Sequence, residues 1–426
     1  MKSEANVQSW RAIEALRAGV PNRDAVRSLG SSQASIVERF RKQLASMREE
    51  SPGGIQVVGT LISGDFGSGK SHLLEYLQHI ALEDNFVCSK VVISKETPLY
   101  DPAKVYRAAI ESAKVPDRTG AALTAVARKL DFNSPEYTQF FRWVNNPDNE
   151  LSTRFAATVF VFERGKGDRN PEISDRVIRF WSGSRIAVGE LKGWLRELGE
   201  AATYKIDKVS VKELALQRYR FVPRLMAAAG YAGWVILIDE VELIGRYSLA
   251  QRSKSYAEIT RLMGKLEEDI VPGLTTVLSI SDDFEAAVIT DGKCDEEKIP
   301  NKLRAAGGEG ELLLAAQAER GMRIIQRDKL VLEPLSEATI REIYDKVRAI
   351  YERAYGWMPP SDYQAPDRTK GIRQHIKQWI NEWDLRRLYS DYQPQIEVTE
   401  LQQDYSERPE LEVPTEENPG EGDLNS

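Results

Sequence analysis

The chain has 426 residues, a net charge of −7 and 42% hydrophobic residues, which leaves room for one large domain with insertions or for two to three domains. No apolar run reaches the ~18 residues of a membrane span, and the N-terminus lacks a secretory hydrophobic stretch, so we expect a cytoplasmic protein with no membrane partner. Cys88 and Cys294 lie far apart and only three histidines are present, which argues against disulfides and a zinc site.

Five apolar, strand-like runs alternate with helical patterns along the chain. This alternation predicts an α/β fold with a five-stranded parallel sheet covered on both faces. The predicted strands span 55–63, 86–94, 233–239, 275–281 and 329–334. The predicted organisation is an N-terminal helical segment (1–50), a core (51–334) with a helical insertion at about 119–210, an α-helical lid (335–395) and an acidic disordered tail (396–426).

A glycine-rich loop follows the first predicted strand. Its letters GDFGSGKS fit G-x-x-x-x-G-K-[ST], in which backbone N–H groups wrap a triphosphate, the lysine reaches the outer phosphates and the hydroxyl holds Mg²⁺. The preceding strand and the following helical pattern complete an anion site, which disfavours an ordinary glycine-rich turn. We therefore predict ATP and Mg²⁺ as ligands. The predicted nucleotide-binding residues here are Gly64, Asp65, Phe66, Gly67, Ser68, Gly69, Lys70, Ser71 and His72, with Ser71 also a metal ligand.

The predicted insertion combines basic and aromatic residues. Such residues can track a nucleic-acid backbone and stack on bases, which leaves a non-specific DNA contact open. Helical packing with a solvated basic face explains the same letters. The residues concerned are Arg164, Lys166, Arg169, Arg176, Arg179 and Arg185, near Phe180 and Trp181.

Carboxylates end the third predicted strand, WVILIDE. Strand ends meet ligands in open α/β sheets, so Asp239 is predicted to lie in the Mg²⁺ shell and Glu240 to orient and polarise the attacking water. A pair of solvated acids is the alternative. A small-molecule kinase would not need Glu240, whereas an ATPase that activates water would. At the end of the fourth strand, Ser281 or Asp282 could position water beside the terminal phosphate, although strands also end in such residues for turn reasons.

The C-terminal segment 396–426 is strongly acidic. It carries ten acidic residues and one arginine, a net charge of −9, so the other 395 residues together carry about +2. Its Pro- and Glu-rich composition predicts disorder. A solubilising tail and a partner-binding or self-inhibiting segment both remain open.

Several motifs together resemble a known family. GDFGSGKS, VILIDE, SISDD and RIIQRDKLVLEPLSEATIREIYDKV follow the order of AAA+ ATPases of the origin-recognition branch. EALRAGVPNRDAVRSLGSSQ, the stretch 63–113 and RAIYERAYGW are more closely similar to the BrxD family of ATP-binding proteins from BREX-type phage-defence systems. The resemblance covers most of residues 10–395. It implies an AAA+ P-loop NTPase with a helical insertion and an α-helical lid.

The resemblance also implies further site residues. The segment before the first strand covers the adenine in such proteins, which makes Val20 and Pro21 candidate base contacts. Arg386, beside Arg387, occupies the place of a lid arginine that reaches the terminal phosphate. An arginine finger from a neighbouring subunit would lie between the fourth and fifth strands, where Arg320 and Arg323 are the preferred candidates over Arg304 and Arg327. Solvated basic faces and helix packing are the competing explanations.

Together these observations predict an AAA+ ATPase of a BREX-type anti-phage system that hydrolyses ATP to drive or gate assembly with defence partners on DNA. The expected partners are other defence proteins, a helicase among them, and further copies of the chain in an ATP- or DNA-dependent homo-oligomer. Two alternatives stay open. One is a nucleotide-gated scaffold with little turnover, and the other is a regulatory subunit whose acidic tail docks a partner.

Overall fold

A computed structural model describes residues 4–19, 23–49, 54, 56–116, 120–165, 171–266, 269–361, 363, 371–389 and 405–408. Its centre is a five-stranded, all-parallel sheet in the order β2-β3-β4-β1-β5. The strands are β1 (Thr60–Gly64), β2 (Val87–Val92), β3 (Trp234–Asp239), β4 (Leu274–Ser281) and β5 (Lys329–Val331). The predicted α/β fold with a five-stranded parallel sheet is confirmed, as expected of a P-loop NTPase.

Helices cover both faces of this sheet and form the regions before and after it. Two short helical turns follow β3 and β4, a 3-10 turn at Val241–Arg246 and a π-helical turn at Glu285–Thr290. The helices are α1 (Glu4–Ala18), α2 (Arg23–Leu29), α3 (Ala34–Glu49), α4 (Lys70–Glu83), α5 (Pro102–Glu111), α6 (Ala122–Lys129), α7 (Pro135–Val144), α8 (Thr153–Gly165), α9 (Pro171–Trp181), α10 (Val188–Glu197), α11 (Val211–Ala228), α12 (Leu249–Leu262), α13 (Asp295–Ala306), α14 (Glu309–Arg327), α15 (Glu337–Tyr355) and α16 (Ile372–Leu388).

The central strands are apolar because both of their faces are buried. Every residue of β1, β3 and β4 is buried, as parallel strands covered by helices require. Gly64 pairs with Ser281 and Ile238 with Leu278, so β1, β3 and β4 end at the same edge of the sheet. That edge is where the glycine-rich loop and the carboxylates were predicted to meet.

Local capping residues fix where several helices begin. The Asp101 carboxylate accepts hydrogen bonds from the N–H groups of Ala103 and Lys104, at 3.0 and 3.1 Å, and Pro102 occupies the first position of α5. At α12, Ser248 and Gln251 form a reciprocal capping box. These starts follow from short sequence signals alone.

The inserted helices enclose an aromatic core. Phe180 and Trp181 are fully buried, and the Trp181 indole N–H donates to Thr158 Oγ1 at 3.0 Å. Neither ring can therefore stack on a nucleic-acid base, so packing explains them and the base-stacking interpretation is wrong. Arg176 and Arg179 pair with Glu190 and Asp175 on the protein surface, while Lys166 and Arg169 lie outside the described residues.

The N-terminal segment divides between two parts of the fold. Helices α1 and α2 form one apolar cluster with the lid helices α15 and α16, which includes Ile13, Tyr351 and Trp383. Helix α3 instead packs through Phe40 and Leu44 on the sheet side of α4. The predicted lid therefore shares its core with the N-terminus.

Most of the predicted acidic tail lies outside the described residues, but 405–408 are described and contact the core. Contacts with the core hold these four residues, and the disorder of the remaining tail stays a prediction. Within the described parts of the chain, no helix is long and apolar enough to cross a membrane.

Candidate functional site

The loop between β1 and α4 has the backbone geometry of an anion site. Gly67 and Gly69 adopt φ angles of 79° and 105°, a left-handed conformation that is strained for other residues. Gly69 precedes α4, and within the described structure no side chain caps that helix. The N–H groups of its first turn are therefore available to an anion, which the helix dipole also favours.

The loop side chains also fit a phosphate. The buried Lys70 ammonium donates to the carbonyl oxygens of Gly64 and Asp65, at 2.6 and 3.1 Å, which holds it over the loop. The Ser68 hydroxyl is buried and, among the described residues, has no hydrogen-bond partner. A buried hydroxyl without a partner costs about 1–3 kcal/mol, and a phosphate oxygen would supply the missing partner.

The carboxyl end of β3 brings two acidic side chains to this loop. Asp239 is buried, and its Oδ1 accepts hydrogen bonds from the Ser279 hydroxyl and from the Glu240 N–H. Glu240 has a left-handed backbone, with φ 59°, which is uncommon for a residue with a side chain and recurs at functional sites. Partial desolvation raises the pKa of Glu240, and the Asp239 charge raises it further.

One small cleft collects most of the predicted phosphate and metal residues. The loop contributes Lys70 and Ser71, and the end of β3 contributes Asp239 and Glu240. The full lining is Asp65, Phe66, Gly67, Gly69, Lys70, Ser71, Asp239, Glu240, Glu242 and Arg373. Groups that are distant in sequence thus face one another.

Arg373 lines this cleft, whereas Arg386 is not among its lining residues, so the predicted contact between Arg386 and the terminal phosphate stays a prediction. Arg373 lies in the first turn of α16, stacks over the Phe66 ring at 5.9 Å and lowers the pKa of Glu240. Arg386 lies 13 residues further along the same helix, roughly 20 Å away, and pairs with Glu382 at 2.6 Å. Gly371 positions this helix start, because a Cβ there would approach the Gly67 carbonyl oxygen to 2.9 Å.

A larger cavity of about 310 Å³ adjoins the cleft, and Gly67, Gly69 and Arg373 line both. Its walls come from the N-terminal helices, the glycine-rich loop and the lid, and they include Leu16, Leu73, Ile343 and Ile376 as well as the polar segment Gly30, Ser31, Ser32 and Gln33. The volume matches the lower end of small-molecule sites, roughly 300 Å³.

His72 lines the same cavity. A ring nitrogen, Nε2, donates to the Gly30 carbonyl oxygen at 2.8 Å, and burial lowers the pKa of His72, which favours the neutral ring. Val20 and Pro21 lie outside the described residues, so their predicted role in base contacts stays a prediction. Gly19, just before them, does line the cavity.

Ser281 lies at the sheet edge but does not line the cleft. Its hydroxyl donates to Asp283 Oδ1, which also accepts from the Tyr405 hydroxyl at 2.8 Å. The neighbouring Asp282 accepts from Ser63 at 3.0 Å. The proton of Ser281 is thus engaged by Asp283.

The two preferred finger candidates have different surroundings on α14. Arg320 donates to the Lys265 carbonyl oxygen at 2.6 Å, which ties it to the end of α12. The Arg323 side chain is 64% exposed and is 3.8 Å from Glu319. Arg304 also contacts Glu319, at 2.6 Å. Of these three arginines, Arg323 has, in the part of the chain that the structure describes, no hydrogen bond to a backbone carbonyl such as that of Arg320, and its side chain is more exposed than that of Arg304.

Sequence reasoning missed Arg373, Glu242 and the segment Gly30–Gln33. Glu242 carried a weak signal, since it lies two residues after Glu240 in DEVE. Arg373 begins a helical pattern after Gly371, but nothing local distinguishes it from Arg386. Only the packing of the lid against the loop separates the two.

One comparison identifies related proteins. The family model described as "BREX system ATP-binding protein BrxC/D" matches residues 6–132 and 149–292, more than half of the chain. A search of curated proteins found no match. The matched residues include the glycine-rich loop, the end of β3 and the N-terminal wall of the cavity.

Proposed function

The chain belongs to the BrxC/D family of BREX system ATP-binding proteins, and from this premise we propose that it hydrolyses ATP. One observation carries the proposal: Lys70, Asp239, Glu240 and Arg373 face one cleft that opens into a cavity large enough for a nucleoside. A binding-only site would not need Glu240 beside the phosphates. Because ATP is an intracellular nucleotide, the proposal also puts the protein in the cytoplasm.

In the proposed complex, the nucleotide extends from the larger cavity into the cleft. The base occupies the larger cavity against Leu16 and Ile376, near the carbonyl of Gly30. The phosphates lie on the N–H groups of the glycine-rich loop, where Ser68 gains a partner and Lys70 exchanges carbonyl contacts for phosphate oxygens. Arg373, which lines both the cleft and the larger cavity, would contact the phosphates from the lid side.

Ser71 and Asp239 are the residues that would hold Mg²⁺. Both line the cleft, and the hydrogen bonds from Ser279 and Glu240 go to Asp239 Oδ1, so Oδ2 is the atom that we assign to the metal side. A hydroxyl and a carboxylate are oxygen ligands of the kind that Mg²⁺ prefers. When bound, Mg²⁺ neutralises phosphate charge and orients the terminal phosphate.

Glu240 is the proposed general base. Its carboxylate would accept a proton from water as that water attacks the terminal phosphorus, while the bond from this phosphorus to the bridging oxygen breaks and ADP leaves with that oxygen. The raised pKa of Glu240 brings its basicity closer to neutral pH. Lys70 and Arg373 would stabilise the charge that develops on the phosphoryl oxygens. Ser281 would contribute only after its hydroxyl turns from Asp283.

Lys70→Ala tests the phosphate site. We expect ATP affinity to fall at least roughly 30-fold, because removing a buried charge partner of a phosphate costs about 2 kcal/mol or more. Calorimetry with Mg·ATP measures the loss. Lys42→Ala is the matched control, since Lys42 is an exposed lysine paired with Glu38 on α3, and it should bind ATP as the wild type does. Unchanged affinity in Lys70→Ala would refute the phosphate assignment.

Glu240→Gln separates binding from hydrolysis. The amide keeps the shape of the side chain but is a poor proton acceptor, so we expect ATP affinity within about twofold of wild type and a hydrolysis rate lower by ~10²-fold or more. Phosphate release under single-turnover conditions measures the rate. Equal rates would mean that Glu240 is not the base. Negligible wild-type turnover would favour the nucleotide-gated scaffold.

The proposal extends to assembly. We assign the arginine finger to Arg323 acting on a neighbouring copy, which makes the active form an ATP- or DNA-dependent homo-oligomer working with other BREX proteins, a helicase among them. A DNA contact at the inserted helices would not include base stacking on Phe180 or Trp181, because both rings are buried.

A further inference from the structure

A short C-terminal segment lies in a notch on the core that the nucleotide site does not use. The notch is formed by Gly245, Arg246, Arg252, Asp283, Phe284 and Lys293. Residues 405–408, with the sequence Tyr-Ser-Glu-Arg, occupy it.

One end of the notch holds an aromatic ring and its hydroxyl. Tyr405 packs edge-on against Phe284, with 6.0 Å between ring centroids, and its hydroxyl donates to Asp283 Oδ1 at 2.8 Å. Gly245 makes room for the ring, because a Cβ at that position would lie 2.9 Å from Tyr405 Cδ1. This end therefore selects a phenol by shape and by hydrogen bonding.

The other end is cationic. Arg252 is buried and already forms a two-pronged ion pair with Asp295, at 2.7 and 2.8 Å. Its Nη1 donates to Glu407 at 2.8 Å, and Lys293 lies 3.6 Å from the same carboxylate. Asp295 balances one of these two cations, and Glu407 balances the other.

The spacing of the two ends matches an extended peptide. Residues two apart point to the same side of an extended chain, and Tyr405 and Glu407 both contact the core. The backbone adds one further bond, because the Arg408 N–H donates to the Arg246 carbonyl oxygen at 3.1 Å. The notch thus binds three different groups of the segment, which are a phenol, a carboxylate and a main-chain N–H.

We propose that this notch is a binding site for short acidic segments of the form Tyr-x-Glu, and that the chain's own residues 405–408 occupy it reversibly. The occupant is part of the same molecule. The chemistry that recognises it is a hydroxyl acceptor at one end and an excess positive charge at the other.

Hydrogen exchange on the full-length chain tests occupancy. Amides in a fragment covering 401–412 should exchange on the order of tenfold more slowly in the wild type than in the free synthetic peptide LQQDYSERPELE. A full-length Tyr405→Ala/Glu407→Gln variant should lose this protection. Exchange at the free-peptide rate in the wild type overturns the proposal. Protection that disappears on dilution overturns the assignment to the same molecule and identifies a second copy as the occupant.

Binding in trans tests the notch itself. Fluorescently labelled LQQDYSERPELE should bind the full-length double variant on the order of tenfold or more tightly than the wild type, because a tethered segment competes at a high effective concentration. A peptide with Phe in place of Tyr405 should bind more weakly, since it cannot donate to Asp283.

Two controls keep this test decisive. Lys293→Ala added to the double variant should weaken peptide binding without touching the segment, and an unchanged melting temperature would show that each variant folds. Absence of peptide binding by a folded double variant overturns the proposal. Peptide affinity that changes neither with Lys293→Ala nor with Phe in place of Tyr405 overturns it as well.

Discussion

Opposing charges act on the carboxyl of Glu240. Desolvation and the neighbouring Asp239 raise its pKa, whereas Arg373, Lys70 and Arg246 lower it, and the first two effects prevail. A group with this balance is suited to accept a proton near neutral pH. The left-handed backbone at Glu240 supports the same role, because strain of this kind persists where surrounding contacts hold a side chain in a required direction.

The pH dependence of hydrolysis should reveal this balance. The proposed base acts when deprotonated, so kcat/KM should fall as the pH drops through the pKa of Glu240, at a higher pH than an ordinary glutamate gives. Arg373→Ala removes a cation that lowers this pKa, so the acidic limb should move to higher pH, in addition to any loss of rate. Arg386→Ala is the control from the same helix and should leave the limb in place. If Arg373→Ala left the acidic side of the pH profile of kcat/KM in place, this would contradict the assignment of Glu240 as the general base.

Helix α1 is joined to the lid by polar contacts as well as by apolar packing. Arg17 pairs with Asp384 at 2.7 Å and donates to the Tyr355 hydroxyl at 3.0 Å, while Tyr351 donates to Asp384 at 2.7 Å. Since Leu16 of α1 and Gly19, which directly follows this helix, line the larger cavity, these contacts hold one of its walls. The lid and the N-terminus should therefore move together.

Arg17→Ala should weaken nucleotide binding although Arg17 does not line the cavity. A partly exposed ion pair contributes up to about 1 kcal/mol, so we expect ATP affinity to fall up to roughly fivefold. Calorimetry and ATP-dependent melting measure the change. The control is Arg179→Ala, which removes an exposed pair with Asp175 on α9, away from the cavity. Equal ATP affinity in both variants would show that α1 does not support the base site.

Local signals in the sequence explain which elements could be predicted. The glycine-rich loop and WVILIDE carry their structural meaning within a few residues, so their strands and their meeting at the sheet edge follow from the sequence. The sequence around Phe180 and Trp181 allowed both packing in a core and stacking on bases, and the packing of the inserted helices decides for the core. The choice of Arg373 over Arg386 likewise depends on how α16 approaches Gly67. Tertiary contacts of this kind leave no local pattern.

The molecule as a whole supplies its cleft with cations from the loop and the lid, but a phosphoryl-transfer site gains more from an arginine brought by a second molecule. Helix α14 carries such candidates on a surface away from the chain's own cleft lining. Arg320 is engaged with the Lys265 carbonyl, so its loss should affect folding stability. Arg323 is exposed, so its loss should not. Stability and activity measurements can therefore distinguish a structural arginine from a finger.

We predict that Arg323→Ala folds and binds ATP normally but hydrolyses it about 10³-fold more slowly, the lower end of what an arginine finger contributes. Lys302→Ala, an exposed lysine on the adjacent α13, is the control and should keep wild-type turnover. Mixing Arg323→Ala with Lys70→Ala should restore activity, because one variant supplies an intact cleft and the other an intact finger at shared interfaces. Two results together would exclude a finger acting between copies. The mixture of variants would be no more active than either variant alone, and the wild-type protein would stay monomeric in the presence of ATP and DNA. The cations that act on the phosphates would then be Mg²⁺ together with Lys70 and Arg373 of the same chain.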